Sequence, residues 1–244
     1  QLDCQDIAQE EIDLAMHALV ANKDFYIDSS NQVYFFDEET KKIRLNLQEL
    51  GQFELKDGSL QTRKSLAYSL AHLFEGRDRV SFSQEFQNLA HDLTHPEDFP
   101  RQATQVQADL RDYQEKGIGW LQMLHHYGFG GILADDMGLG KTLQVITYLE
   151  SVKRERPCLI ITPASLILNW ENEFNKFNSS VSILSIYGDR KNREELLTNL
   201  KNEVVITSYD YLKRDIDLYE NINFDTIILD EAQYIKNHKT KIAQ

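Results

Sequence analysis

Two kinds of periodicity divide the chain. From residue 130 onward, short apolar runs alternate with stretches whose apolar residues recur every three or four positions. The runs are GGILA (130–134), CLIIT (158–162), VSILSIY (181–187), EVVIT (203–207) and DTIILD (225–230). The helical patterns fall at 141–153, 165–177, 190–201 and 210–219, and LRDYQEKGIGWLQMLHHYG at 110–128 reads as a helix ahead of them. A strand that is apolar on both sides must be covered on both sides. Apolar strands separated by amphipathic helices therefore predict an α/β fold, a parallel sheet between two helical layers.

Residues 1–100 follow a different pattern. Ala8, Ile12, Met16 and Leu19 recur at helical spacing, as do Leu66, Leu70, Leu73 and Phe74, and then Phe82, Phe86, Leu89 and Leu93. FYIDSSNQVYFF (25–36) reads as two short strands around a polar turn. These are core faces of a small α+β segment. The stretch THPEDFPRQATQVQ (94–107) holds two of the four prolines and has no apolar period, so it reads as a boundary. The expected organisation is an accessory segment at 1–100, a linker at 101–107 and an α/β domain at 108–244.

At 244 residues and 28.4 kDa, the chain has room for one large domain or two small ones. No apolar run is long enough for a membrane-spanning helix, and the acidic start QLDCQDIAQEEID lacks the order of a secretory signal. Without an initiator Met, the chain is expected to begin inside a longer protein. Cys4 and Cys158 are too few for a disulfide framework or an all-cysteine zinc site, and a reducing, cytoplasmic compartment is the default expectation. The net charge of −13 is uneven. Residues 1–105 carry 10 basic and 19 acidic side chains, net −9, and residues 106–244 carry 16 and 20, net −4. No bulk basic footprint for nucleic acid exists, so any such contact must come from a local patch or from other parts of the protein.

ADDMGLGKT (134–142) follows an expected strand and opens an expected helix. Gly138 and Gly140 let the backbone curl and turn its N–H groups toward a phosphate, and the helix N-terminus adds donors and partial positive charge. Lys141 can reach the β- and γ-phosphates, and the Thr142 hydroxyl can ligate Mg²⁺. The strict P-loop pattern has Gly where this chain has Asp135. ILDEAQ (228–233) ends the last expected strand, where a carboxylate faces the ligand crevice of an α/β fold. Asp230 is placed to hold Mg²⁺ through water, and Glu231 to orient and activate an attacking water. His72, His91 and His95 have no matching ligand set, and the adjacent His125 and His126 point to different helix faces.

LRDYQEKGIGWL, ADDMGLGKT, LIITPASLILNWENEF, VVITSYDYL and ILDEAQYIKN occur in that order. Together they resemble the first motor lobe of SWI/SNF-type ATPases, a helicase-like superfamily that moves on duplex DNA. The acidic first segment looks like the region that precedes the motor in bacterial members. The resemblance implies a RecA-like lobe that binds ATP and Mg²⁺. It implies that Gln114 reads the adenine edge, with Leu110, Arg111 and Tyr113 shaping the base pocket. It places Asp135, Asp136, Met137, Gly138, Leu139, Gly140, Lys141 and Thr142 around the phosphates, with Lys141, Asp230 and Glu231 catalytic. It assigns Thr162, Pro163 and Ser165, and then Thr207, Ser208 and Tyr209, to segments near the DNA backbone. Leu166, Leu168 and Trp170 read as packing.

Two departures stand out. Gln233 occupies a position where many relatives have His; the resemblance counts it with the nucleotide-binding residues, and it can still hydrogen-bond across to another motif, so coupling is expected to be altered at most. The chain stops about ten residues past the acidic motif, so the second lobe and its arginine fingers are expected to be absent and this piece to bind ATP without turning it over. Lys236, Lys239 and Lys241 are expected to touch DNA or the second lobe, or to be solvated. The main expectation is an ATP-driven motor on duplex DNA that remodels protein–DNA complexes, cytoplasmic and nucleoid-associated. An RNA or single-strand helicase lobe is the alternative. So is an interaction module in which the acidic segment docks a protein partner or covers the motor's DNA face.

Overall fold

The computed structural model describes residues 9–38, 40–42, 44–45, 54–56, 59–61, 63–73 and 82–235. The chain divides into two compact units, 1–98 and 99–244. In the first unit, α1 (Gln9–Val20) leads into a hairpin of β1 (Phe25–Ile27) and β2 (Val33–Phe35). Asp28 closes the turn by accepting the Ser30 and Gln32 amides at 2.9 and 2.7 Å, and Asn31 takes the left-handed backbone that its short polar side chain tolerates. Tyr26 and Tyr34 pair across the ladder and stack at 5.1 Å. A second hairpin joins β3 (Glu54–Lys56) and β4 (Ser59–Gln61), and α2 (Ala67–Leu73) and α3 (Gln84–Thr94) follow. Met16, Leu70 and Leu89 from the three expected stripes are buried. Ala8, Phe74 and the side chains of Ile12 and Leu73 lie outside the described residues.

The second unit is built on a four-stranded parallel sheet. Its strands are β5 (Cys158–Thr162), β6 (Ile183–Ser185), β7 (Val204–Ser208) and β8 (Ile227–Leu229), in the order β6-β7-β5-β8. The helices are α4 (Asp112–Tyr127), α5 (Lys141–Ser151), α6 (Ile167–Lys176), α7 (Arg190–Leu197), α8 (Tyr209–Arg214) and α9 (Ile216–Tyr219). Every residue of β5 and β7 is buried. Alternate residues serve opposite cores, as a period of two requires. Cys158, Ile160, Val204 and Ile206 pack with Ile146, Leu149, Ile167, Trp170 and Phe174. Leu159, Ile161 and Val205 pack on the other side with Ile186, Leu197, Tyr209 and Tyr219.

Three expectations need correction. Residues 130–134 form no strand: a strand exists only where a neighbouring ladder accepts its hydrogen bonds, and this segment pairs with none of the described strands, with Ile132 86% exposed. The helix expected at 210–219 breaks at Asp215. There the backbone leaves helical geometry and the buried carboxylate takes Arg193 Nε at 2.6 Å and Arg190 at 3.4 Å. Residues 101–107, expected as a linker, are bonded into the second unit. Gln102 N–H donates to Gln122, Thr104 Oγ1 and Gln105 N–H donate to Glu150, and Gln107 N–H donates to Phe177.

Glu150 therefore ties this strap and the Ser180 loop to α5. Burial raises its carboxyl, but the bonds from Ser180, Thr104 and Gln105 outweigh that and hold it below the usual glutamate range. A depressed carboxyl contributes stability above its unfolded value and loses it as pH falls through the folded one. Amide exchange at Gln105 and Ser180 is thus expected to gain relative to the core below about pH 4, and Glu150→Gln should flatten that response. The buried Arg193–Asp215 pair gives a second test. Asp215→Ala strands a buried guanidinium and should cost about 3–5 kcal/mol in chemical denaturation.

Candidate nucleotide-binding site

The loop between residue 134 and α5 turns on two glycines with left-handed backbones, Gly138 (φ 82°) and Gly140 (φ 76°). Gly140 has a second constraint, because an added Cβ would meet Gln114 Nε2 at 2.5 Å. As N-cap of α5, Gly140 supplies no side-chain acceptor. The N–H groups of the first turn are therefore left to an external anion, favoured by the helix dipole. Lys141 Nζ folds over the loop and donates to the carbonyls of Asp135 and Asp136 at 2.7 and 3.0 Å. Asp136, Met137 and Gly138 are exposed, while Leu139, Gly140, Lys141 and Thr142 are half-buried.

Asp135, the departure from the strict pattern, has a structural partner. Its carboxylate accepts Gln144 Nε2 at 2.9 Å, and Gln144 is fully buried on the inner face of α5. Sequence reasoning passed over Gln144. The available signal was a polar residue at a core position of an amphipathic helix, three residues past the lysine.

Leu110, Arg111, Tyr113 and Gln114 precede and open α4. Leu110 is half-buried, and Arg111 and Tyr113 are exposed. Gln114 is buried, with Oε1 accepting Arg111 N–H at 2.9 Å and Nε2 donating to the Leu139 carbonyl at 3.1 Å. Each amide atom retains one unused valence for a further partner. Tyr113 Oη donates to the same carbonyl at 3.2 Å. One oxygen at the tip of the phosphate loop thus joins the loop to both side chains that the resemblance places around the base.

Asp230 and Glu231 follow β8. Asp230 N–H continues the ladder to Ile161 O at 2.8 Å. Its Oδ2 accepts Thr162 Oγ1 at 2.8 Å and Trp170 Nε1 at 2.9 Å, and its carbonyl accepts Tyr209 Oη at 2.8 Å. Burial, then the charges of Asp230 and Glu231, push the Tyr209 phenol up to about 12, so it stays a donor. Glu231 has φ 52°, a left-handed conformation that costs a non-glycine residue about 1–2 kcal/mol. Its carboxylate is exposed and accepts Gln233 Nε2. Gln233 therefore bonds within its own motif rather than across to another.

The residues expected near DNA divide sharply. Thr162, Thr207, Ser208 and Tyr209 are buried, so in this structure they present no surface to a nucleic acid. Strand ends between two helical layers are covered, and two of these hydroxyls are spent internally: Thr162 on Asp230, and Ser208 on the Tyr211 amide in the first turn of α8. Pro163 is half-buried and Ser165 is exposed. Leu168, expected to pack, is 62% exposed, whereas Trp170 is buried and does more than pack. Lys236, Lys239 and Lys241 lie outside the described residues.

Topology brings the loop and the acid motif to one edge. Residues 152–157 return the chain from α5 into β5, so the helix runs antiparallel to the strands. Tyr148 Oη lies 3.3 Å from Thr226 Oγ1, just before β8. From that contact, α5 rises roughly 10 Å back to Lys141 and the strand rises roughly 13 Å to Asp230. Both elements thus lead toward the C-terminal edge, where open α/β sheets bind ligands. Among the described residues, no cluster of three or more His, Cys, Asp or Glu forms a metal cage. Thr142 and Asp230 would each contribute one oxygen to an ion, a sparse pair of protein ligands. Such a pair suits Mg²⁺, which takes one or two protein oxygens and completes its shell with phosphates and water.

Residues 113–244 match the SNF2-related domain family, and residues 1–102 match the family of bacterial SNF2 helicase-associated regions. An uncharacterized ATP-dependent helicase of Mycoplasma genitalium is 34% identical over 223 residues, covering 86% of this chain and 21% of the relative. The ISWI chromatin-remodeling complex ATPase ISW2 of Saccharomyces cerevisiae is 42% identical over 143 residues, 55% of this chain and 13% of that protein. Among solved structures, the SWI2/SNF2 ATPase core of Sulfolobus solfataricus in complex with dsDNA matches with a TM-score of 0.52 at 38% identity, over 59% of this chain and 30% of that one. This chain spans about a fifth or less of the length of these two curated relatives. The parallel sheet and its helical layers are thus a RecA-like lobe.

Gly117 leaves no room behind Gln144: an added Cβ would lie 2.0 Å from Gln144 Oε1. Gly117→Ala is therefore expected to push Gln144 off Asp135 and to weaken binding of a fluorescent ATP analogue by on the order of 10-fold. Circular dichroism should show the helices intact.

Proposed function

The chain belongs to the SNF2-related family, and we propose that it supplies the ATP-binding lobe of a DNA-dependent ATPase that moves on duplex DNA and remodels protein–DNA complexes. One observation carries the reading: Tyr148 on the helix that follows the phosphate loop meets Thr226 at the start of the strand that leads to Asp230 and Glu231. The Lys141 ammonium leaves the Asp135 and Asp136 carbonyls for the more strongly charged phosphate oxygens, an exchange of neutral acceptors for anionic ones. The open N–H groups of the first turn of α5 take the remaining phosphate charge. Gln114 and Tyr113 carry the base, and their shared bond to the Leu139 carbonyl makes base binding sensitive to the shape of the loop.

Thr142 Oγ1 and Asp230 would hold Mg²⁺. The ion, when bound, neutralises charge that develops on the phosphates. Glu231, exposed at the end of the sheet, orients a water and accepts its proton during attack on the terminal phosphorus. A second lobe in the whole protein completes the site with cationic groups. Half-buried Pro163 and exposed Ser165, with exposed Leu168 and Asn169 on α6, offer a surface for a DNA backbone. The net charge of −9 over residues 1–105 favours a separate role for the first unit, docking a protein partner or shielding the motor from DNA.

The test is nucleotide binding and turnover by the full-length protein with duplex DNA, single-stranded DNA and RNA. Lys141→Ala is expected to weaken ATP binding by roughly 10- to 100-fold. Duplex DNA should stimulate turnover most. Equal affinity in the variant overturns the nucleotide site, and preferential stimulation by RNA overturns the duplex reading.

A further inference from the structure

Trp170 is 3% exposed on the inner face of α6, beside Ile167 and Phe174. The indole fills this apolar space with a larger ring than phenylalanine would, and it also adds an N–H donor that cannot accept. That donor lies 2.9 Å from Asp230 Oδ2, and the Thr162 hydroxyl reaches the same oxygen at 2.8 Å.

We propose that Trp170 is a positioning residue for the acid motif, fixing the Asp230 carboxylate so that Oδ1 is presented to a nucleotide-borne divalent ion. The proposal rests on the reading of this edge as a Mg²⁺–ATP site. A carboxylate turns about its terminal torsion through a broad, shallow well, and a free one offers either oxygen over a wide arc. Two donors on Oδ2 remove that freedom and leave Oδ1 on the far side, where none of the described residues donates to it. The two donors differ in stiffness. The Thr162 hydroxyl hydrogen rotates and can turn to another acceptor. The indole is held in place by the core around it, its ring 6.2 Å from that of Phe174. Trp170 is therefore the rigid arm and Thr162 the adaptable one. Tyr209, donating to the Asp230 carbonyl at 2.8 Å, holds the backbone from another segment, so the carboxylate turns on a fixed base.

Partners that orient a metal-side carboxylate typically contribute about 10- to 100-fold to metal affinity or activity. In the full-length protein, the quantity to measure is the affinity of a non-hydrolysable ATP analogue with and without Mg²⁺. Trp170→Phe keeps an aromatic ring and deletes the N–H. It is expected to reduce the gain in affinity that Mg²⁺ confers by roughly 10-fold, leave metal-free affinity unchanged and raise the half-saturating Mg²⁺ for turnover by a similar factor. A packing defect would instead weaken binding equally with and without the ion. Replacing Trp170 with benzothienylalanine, which exchanges the N–H for sulfur in a ring of nearly the same shape, makes the same test if the Phe variant does not fold. An unchanged Mg²⁺ gain in either folded variant overturns the role of Trp170 alone. Absence of any Mg²⁺-dependent binding in the unaltered protein overturns the nucleotide site and this inference together.

Discussion

The pairing of β5 with strands on both sides is the constraint on which the second unit depends. Ile160 sits opposite Ile206 on one side and Ile228 on the other, so the central strand is bonded along both edges and covered on both faces. Its direction fixes which end of the sheet receives the chain's polar residues. Thr162 leaves the strand at the edge where Asp230 leaves β8, and their side chains meet because both ladders advance at the same rate. A single register shift would turn Ile160 and Ile161 to opposite cores and carry Thr162 away from the carboxylate.

Around that edge, the buried polar groups work as supports. Gln144 holds Asp135, Gln114 closes the start of α4 while touching the phosphate loop, and Thr162 and Trp170 hold Asp230. Each of these bonds has one buried side-chain partner, Gln144, Gln114, Thr162 or Trp170, whose polar group is costly to leave unpaired. The half-buried Lys141 and the exposed Glu231 lie outside this set of supports. Four of the six residues that the resemblance assigned to DNA are internal in the same way, and the hydroxyls of Thr162, Ser208 and Tyr209 find protein partners at the ends of the covered strands.

Much of the fold was legible because periodicity reports burial directly. CLIIT and EVVIT read as strands covered on both faces, and they are. FYIDSSNQVYFF read as a hairpin because its turn chemistry is local: Asp28 and Asn31 shape the turn without help from distant residues. GGILA read as a strand for the same reasons, yet it forms none. Apolar composition states that a segment can join a ladder, whereas joining requires a neighbour at the right height. The break at Asp215 was equally hidden, since its cause is Arg193 on another helix, 22 residues upstream.

The sequence by itself determined the alternating α/β pattern, the glycine-turned loop ending in Lys141 and Thr142, and the carboxylate pair after the last strand. These depend on residue type, spacing and short-range backbone geometry. Tertiary structure alone decided that Asp135 serves Gln144 and that Gly117 must stay small to allow it. It also decided that Thr162 faces inward and that a tryptophan on α6 donates to Asp230. Those contacts join residues up to 68 positions apart. A hydrogen bond across such a distance is set by how strands and helices stack, and nothing in the local pattern of either partner encodes it.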